Sequence, residues 1–242
     1  MATINITYPT CSQELTQAQL RYVFYLLSTE KYTPAQIQTL TLFRWAGIEV
    51  ISPEGDGFLI RYEGQPVRLT ALQIAELLPQ ISWLTQLPLV PVRLERIGGH
   101  RPVVNPDLSG LSYESFIICD NYYQGYLHTQ NRDHLGAIAA ILYGAQSIRL
   151  QPEEYISIFY WFASAKAALA RRFHHFFVPA AVNNLTSNLR ERLQTNFDNQ
   201  LRALTGGDIT KEDAILHMDL FRALTELDAQ AREFEELKKQ TH

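Results

Sequence analysis

The chain has 242 residues, of which 46% are hydrophobic and 19% are charged, a composition typical of a globular protein with one elaborated domain or two small ones. Its formal net charge of −4 argues against nucleic-acid binding by the whole surface. The two cysteines, Cys11 and Cys119, are far apart in the sequence and too few for a disulfide scaffold, which favours a reducing compartment. The start MATINITYPT lacks the features of a signal peptide, and no stretch has the roughly 20 apolar residues of a membrane span, so we expect a cytoplasmic protein without a membrane partner.

The N-terminal segment predicts a short strand or arm followed by two helices. Apolar residues alternate within residues 1–13, as they do in a strand, and Ser12 is the expected N-cap of the first helix. A second helix is expected to begin at Thr33-Pro34, because proline suits the first helical turn, and to end at Gly47.

The next segment carries the small antiparallel sheet that we expect in the chain. Residues 58–62 and 66–69 are the arms of a predicted hairpin, because turn residues separate them. Thr70 is expected to cap a helix that Pro79 bends or splits. A further strand is expected at residues 92–97.

Residues 111–177, which we call the central block, predict three consecutive helices that contain most of the aromatic residues. Ser112 marks the start of the first helix, and either Asn131 or Asp133 caps the second. Pro152, followed by two glutamates, opens the third. Because the third helix is apolar almost all round, we expect it to be the most buried.

A long helical hairpin is predicted to end the chain. Apolar residues recur every four positions between residues 185 and 201, and Gly206-Gly207 separates this helix from a last one at about residues 211–239. In the last helix, apolar residues alternate at spacings of four and three, as in a short coiled-coil seam. This seam consists of Leu220, Leu224, Leu227, Ala231 and Phe234. It fits a surface for a partner protein, and it fits packing on the preceding helix of the same chain equally well.

The two helices of this hairpin differ in charge. Residues 165–206 contain six basic and two acidic residues, whereas residues 207–242 contain five basic and nine acidic residues. This polarity is compatible with an antiparallel hairpin, with head-to-tail contact between copies in a homo-oligomer, and with two solvated faces.

These patterns predict a fold that is mainly α with a small antiparallel β portion, in the α+β class, with a helical core and a long C-terminal helical hairpin. The predicted segments are residues 1–104, 105–180 and 181–242, either as separate domains or as parts of one.

The titratable residues do not show the spacing of a metal site. His174-His175 are neighbours, which point about 100° apart on a helix, so we interpret them as cations at a helix end and not as metal ligands. Asp120, His128 and His134 are likewise not linked by a ligand motif. We therefore predict neither a metal ion nor a cofactor.

No catalytic motif is present either. The Gly98–Arg101 stretch is neither a GxGxxG sequence nor a P-loop, so we interpret it as a turn. Neither cysteine has a histidine at motif spacing, which favours inert thiols. We therefore predict that the chain is not an enzyme, although a small-ligand site among the polar residues above stays an alternative.

Three tyrosines lie close together in the first central helix, Tyr122, Tyr123 and Tyr126. Aromatic residues at helical spacing are usually part of a core, whereas exposed tyrosines are typical of protein-binding surfaces. Both interpretations stay open for these three residues.

The central block resembles a known group of proteins. The stretches LSYESFIICDNYYQGY, HLGAIAAILYG and FYWFASAKAALARRF, in this order, are similar to helical cytoplasmic proteins encoded in the morphogenesis clusters of tailed phages and prophages. The matching positions are Leu111, Ser112, Tyr113, Asp120, Leu135, Ile138, Leu142, Tyr143, Phe159, Trp161 and Phe162. The resemblance covers mainly residues 111–240.

This resemblance implies a function in virion assembly. Such proteins are commonly tail assembly chaperones, so it implies a non-enzymatic protein that acts in the bacterial host cytoplasm through helical contacts with a phage tail or tape-measure protein. A structural component of the neck or tail is the alternative within the same class. The seam of the last helix and the three tyrosines are the surfaces that we nominate for these contacts, and no specific nucleic acid is expected as a partner.

Overall fold

The computed structural model describes residues 9–178 and 189–240, and it confirms the mainly helical α+β class. Two predictions fall partly outside the described residues. They concern the alternating apolar residues of the strand predicted within residues 1–13, and Leu185, the first residue of the apolar series that continues to residue 201.

Two capped helices begin the described chain, α1 (Gln17–Ser28) and α2 (Pro34–Trp45). Thr16 and Thr33 are their N-caps, and each hydroxyl accepts a hydrogen bond of 3.3 Å from the backbone N–H three residues later. The glutamine at that position accepts a bond from the backbone of the cap in return, which completes a capping box. The start of α2 and its end before Gly47, at φ 67°, are as predicted, whereas Ser12 lies in a short 3₁₀ segment and does not cap α1.

An antiparallel sheet of three strands follows, β1 (Glu49–Glu54), β2 (Gly57–Tyr62) and β3 (Gln65–Thr70). Strands β2 and β3 form the predicted hairpin. Its turn residues Glu63 and Gly64 have φ values of 49° and 79°, as a two-residue turn of this kind requires. Strand β1 was not predicted, because five of its six residues are exposed and it has no apolar alternation.

Thr70 caps the next helix, α3 (Ala71–Leu77), as predicted. The α-helix ends two residues before Pro79, and the chain continues as a 3₁₀ segment, Leu78–Thr85, with a kink at Ile81. Proline lacks the N–H that an α-helix needs and clashes with the preceding turn, so it splits the predicted helix in two.

The strand predicted at residues 92–97 is wrong. This segment is irregular, apart from one isolated bridge between Ile97 and His100. Its apolar side chains are nevertheless buried, and the backbone N–H of Leu94 donates to the hydroxyl of Ser157 at 3.2 Å instead of to a neighbouring strand. The alternation of apolar residues therefore reflects burial against the helices and not strand pairing.

Six further helices follow in the described residues: α4 (Tyr113–Thr129), α5 (Arg132–Leu142), α6 (Pro152–Arg172), α7 (Leu189–Thr205), α8 (Glu212–Leu216) and α9 (Leu220–Gln240). Ser112 caps α4 and Asn131 caps α5, and each side-chain oxygen accepts a hydrogen bond from an early backbone N–H of its helix. Among the described helices, α6 contains the most buried residues, as predicted.

The single last helix predicted at residues 211–239 is interrupted. Helices α8 and α9 are separated at residues 217–219, where the backbone pairs with the start of α4. The N–H of Tyr113 donates to the carbonyl of Met218 at 2.8 Å, and the N–H of Leu220 donates to the carbonyl of Leu111 at 3.0 Å. These tertiary hydrogen bonds replace the helical ones at this point, which the sequence pattern does not reveal.

Among residues 9–178 and 189–240, two hydrophobic clusters form the core. The larger one joins α4, α5, α6 and α9 with two side chains of α1 and with residues 92–108. The smaller one lies between α1, α2, the sheet and the 3₁₀ segment after α3. Helix α1 contributes side chains to both clusters, so the two clusters adjoin along this helix.

Candidate protein-binding groove

A groove with mainly apolar walls lies between α4, α7 and α8. Ile117 and Ile118 of α4 form one wall, Leu193 and Phe197 of α7 form the other, and Leu216 of α8 also lines the groove. The volume is about 460 Å³. We refer to it as the α4–α7 groove.

The helical periodicity explains both walls. On α4, Phe116 and Cys119 are buried in the larger cluster, which directs the intervening isoleucines away from the centre of the core. On α7, Leu193 and Phe197 are one turn apart in the four-residue apolar series that the sequence shows. Ile118 is 38% exposed, a large apolar side chain at a groove edge.

Polar residues surround this apolar surface. Glu114 and Asn121 lie along the α4 side, and Gln194 lies along the α7 side, where its amide donates to Asp198 at 2.8 Å. An apolar floor with a polar rim is typical of surfaces that bind an amphipathic helix. The arrangement offers shape and apolar contact but no reactive group.

The seam predicted on the last helix is largely internal. Leu220, Leu224 and Leu227 are buried in the larger cluster, so the chain's own core takes up these three side chains in place of the partner surface that we considered. Ala231 is half-buried, and Phe234 is 58% exposed, with the ammonium of a neighbouring lysine above its ring. Only the second half of the seam therefore reaches the surface.

The three tyrosines of α4 divide between core and surface. Tyr123 and Tyr126 are half-buried against Phe159 of α6, with ring centroids 5.9 and 5.7 Å away. Tyr122 is exposed and its ring lies 5.9 Å from that of His134. Only Tyr122 therefore has the exposure expected of a partner contact.

Several residues that carry the resemblance connect helices within the core. The hydroxyl of Tyr113 donates to Gln200 of α7 at 2.6 Å, and the indole N–H of Trp161 donates to the carbonyl of Pro106 at 2.7 Å. The hydroxyl of Tyr143 donates to the carbonyl of Leu94. Burial raises the pKa of both tyrosines well above the ordinary value, so they stay neutral donors at physiological pH.

Asp120 belongs to an ion pair that sequence reasoning missed. Its carboxylate contacts the ammonium of Lys166 on α6, and both side chains are mostly buried. Lys166 also lies 5.3 Å from the centre of the Tyr123 ring. Burial, with a smaller contribution from Asp120, raises the pKa of the neighbouring Cys119 thiol well above its ordinary value, which favours an inert thiol.

The histidine pair at the end of α6 is anchored to α9. The backbone N–H groups of His175 and of the next residue both donate to Asp228 at 3.0 Å, and the His175 ring lies 3.1 Å from the Glu235 carboxylate. The Arg171 guanidinium donates to the carbonyl of Leu89 at 2.6 Å. The two histidines lie in the turn that follows Arg172, the last residue of α6, and these contacts give that turn a structural role.

The residues considered for an enzyme or small-ligand site are held by different neighbours. His128 is exposed at the end of α4, His134 lies beside the tyrosines of that helix, and Asp120 is paired with Lys166. Gly98–Arg101 forms a turn, closed by two backbone hydrogen bonds of 3.1 and 2.9 Å between the residues that flank its glycines.

Within residues 9–178 and 189–240, no cluster of three or more histidine, cysteine or acidic residues is arranged for a metal ion. In the same residues, no helix has the length and apolar character to cross a membrane.

The fold and the groove define a mainly helical α+β protein with an apolar interhelical groove. No protein-family model matches the chain, and no curated protein or solved structure matches it. Its function is therefore inferred from the geometry of its own residues and from the resemblance of its central block.

Proposed function

We propose that the protein is a non-enzymatic assembly protein of a tailed phage or prophage, similar to tail assembly chaperones, which binds an apolar helix of a tail or tape-measure protein. The observation that supports this proposal is the α4–α7 groove. The groove lies within the part of the chain that carries the resemblance, and its wall residues Ile117, Ile118 and Phe197 are only partly buried.

The physical basis of the proposal is the burial of apolar surface. A long tail protein exposes apolar helical faces before it assembles, and a chaperone prevents aggregation by covering them. A helix that inserts apolar residues at spacings of three and four would fill the groove and remove its isoleucine and leucine side chains from water. The polar rim at Glu114, Asn121 and Gln194 would fix the orientation of the bound helix. Such a protein would act in the cytoplasm of the bacterial host.

Replacing Ile118 with aspartate tests the groove directly. The carboxylate would be desolvated under a bound apolar helix, so we expect the dissociation constant for the partner to rise by about 30-fold or more. Because Ile118 is 38% exposed, we expect the free protein to stay folded. The measurement is co-expression with the tape-measure and tail proteins encoded in the same genome, followed by size-exclusion chromatography and titration of the purified complex.

The matched control is Ile209→Asp, which places the same charge on an isoleucine that is 77% exposed and lies outside the groove. This variant is expected to bind like the unchanged protein. Equal binding by both variants would contradict the groove as the binding site, and the absence of any complex with the tail proteins would contradict the chaperone role. Recovery of the chain from finished tails would instead identify it as a virion component.

A further inference from the structure

A cleft of about 590 Å³, lined mainly by charged residues, lies where α1 meets the irregular residues 92–108. It is distinct from the α4–α7 groove, and its lining residues are Gln17, Ala18, Arg21, Glu95, Arg96 and Arg101. Three of these six residues are arginines, which come from two segments far apart in the sequence. Positive charges gathered in one cleft repel one another unless an anion lies between them.

The first arginine is fixed in place by the protein itself. One nitrogen of Arg21 donates to Glu153 at 3.1 Å and to Glu154 at 3.2 Å, and the other donates to the carbonyl of Arg96 at 2.9 Å. The two glutamates lie at the start of α6 and offset the charge of Arg21. Arg21 therefore forms a rigid wall of the cleft.

The charges of Arg96 and Arg101 are not compensated in this way. Both side chains are exposed, and in the part of the chain that the structure describes neither guanidinium has a hydrogen-bond or ion-pair partner. Glu95, the acidic residue of the lining, lies 3.4 Å from the guanidinium of Arg93 and is thereby partly neutralised. The lining of the cleft thus contains two exposed guanidinium groups that are available to a ligand.

The backbone that carries these two arginines is rigid. Between them, Gly98 and Gly99 adopt φ values of 53° and 86°, and the turn is closed by two backbone hydrogen bonds between its flanking residues. Ile97 is fully buried, and the backbone N–H of Glu95 donates to Gln17 at 2.8 Å. A backbone that is already ordered lowers the entropic cost of binding a ligand.

We propose that this cleft binds a multivalent oxyanion, with Arg96 and Arg101 as the binding residues and Arg21 as the positioning residue behind them. The planar guanidinium fork matches phosphate and carboxylate oxygens and can donate two parallel hydrogen bonds to either. The volume of the cleft falls in the range of small-ligand sites, about 300–1,000 Å³. This inference does not depend on the proposed assembly function, because it concerns different residues.

Calorimetric titration of the full chain with pyrophosphate and with citrate tests the proposal, at constant ionic strength set with sodium chloride. The two ligands distinguish a phosphate-bearing from a carboxylate-bearing occupant. We expect saturable binding of at least one of them, with one site per chain. The double variant Arg96→Ala/Arg101→Ala is expected to bind about tenfold more weakly for each arginine removed, since each loses a charge-assisted hydrogen bond.

The control is Arg202→Ala/Arg222→Ala, which removes the same charge from exposed positions on α7 and α9 and is expected to leave the affinity unchanged. Equal weakening by both double variants would overturn the proposal, because it would show a general charge effect. Absence of saturable binding of either anion would overturn it as well. Full affinity in Arg96→Lys/Arg101→Lys would overturn the role assigned to the guanidinium fork. Circular dichroism of each variant verifies that the fold is intact.

Discussion

A chain that ends at Gly206 will fail to fold cooperatively, because α9 completes the larger hydrophobic cluster. Leu220, Ala223 and Leu224 are fully buried, and Leu227 is 4% exposed. Full burial of one leucine stabilises a protein by about 1.5–3 kcal/mol, so loss of these three leucines removes roughly 5–9 kcal/mol. The net stability of a domain is about 5–15 kcal/mol, which this loss largely cancels.

The truncation also removes hydrogen-bond partners from the rest of the chain. The N–H of Tyr113 pairs with the carbonyl of Met218, and the carbonyl of Leu111 pairs with the N–H of Leu220. Asp228 accepts hydrogen bonds from two backbone N–H groups just after α6. Buried backbone groups left without partners add to the free energy lost.

Thermal unfolding followed by circular dichroism, together with binding of a hydrophobic dye, is the measurement. We expect the chain 1–206 to show no cooperative transition and to bind the dye at low temperature. The control is a chain that ends at Arg232, which keeps the four buried residues of α9 and loses mostly exposed ones. It is expected to melt within a few degrees of the full chain.

Light scattering on the same proteins separates two interpretations of α9. If residues 1–206 form a folded monomer while the full chain is an oligomer, the expected result is contradicted and α9 is an assembly element. If the truncated chain is unfolded and the chain ending at Arg232 is folded, the buried half of α9 belongs to the core. Contacts between copies would then involve the exposed half, which includes Phe234.

The sequence predicted those features of the fold that depend on local chemistry. Thr33, Thr70 and Ser112 cap helices where expected, because a hydroxyl before a helix satisfies an early N–H regardless of the rest of the fold. Pro79 ends an α-helix for an equally local reason. The hairpin of β2 and β3 follows from the turn residues between its arms.

The features that it did not predict depend on contacts between distant residues. Residues 92–97 alternate like a strand, yet their environment is a helical core that satisfies the backbone through a side chain such as Ser157. The interruption at residues 217–219 requires pairing with the start of α4, more than 100 residues earlier. Long-range contacts of this kind leave no periodic signal.

The same distinction applies to the candidate sites. The α7 wall of the groove was visible in the sequence as an apolar residue at every fourth position, including Leu193 and Phe197. The α4 wall was not, because the sequence does not determine which face of an apolar helix is covered by its neighbours. The three arginines of the second cleft likewise come together only when α1 packs beside residues 92–108, and the sequence predicted only a turn at the Gly98–Arg101 stretch there.

Replacing Trp161 with phenylalanine will destabilise the protein by about 2–4 kcal/mol, although the substitution keeps an aromatic ring. Trp161 is fully buried, its indole N–H donates to the carbonyl of Pro106 at 2.7 Å, and its ring meets that of Tyr143 edge to face at 5.8 Å. Phenylalanine cannot donate this hydrogen bond, and its smaller ring leaves a cavity. Trp161 thus ties α6 to the irregular segment, where no secondary structure holds the backbone in place.

The other two tryptophans provide matched controls for this expected result. The indole nitrogens of Trp45 and Trp83 are buried and, among the residues that the structure describes, have no hydrogen-bond partner. Phenylalanine at either position removes an unsatisfied donor, which offsets the loss of ring contact, so we expect a change in the free energy of unfolding within about 1 kcal/mol. Urea denaturation followed by circular dichroism measures all three variants without relying on tryptophan fluorescence. Equal stability of Trp161→Phe and the two controls would contradict a structural role of the hydrogen bond to Pro106. A selective loss would show that the buried indole of Trp161, through this hydrogen bond and its packing, holds residues 92–108 against the helices.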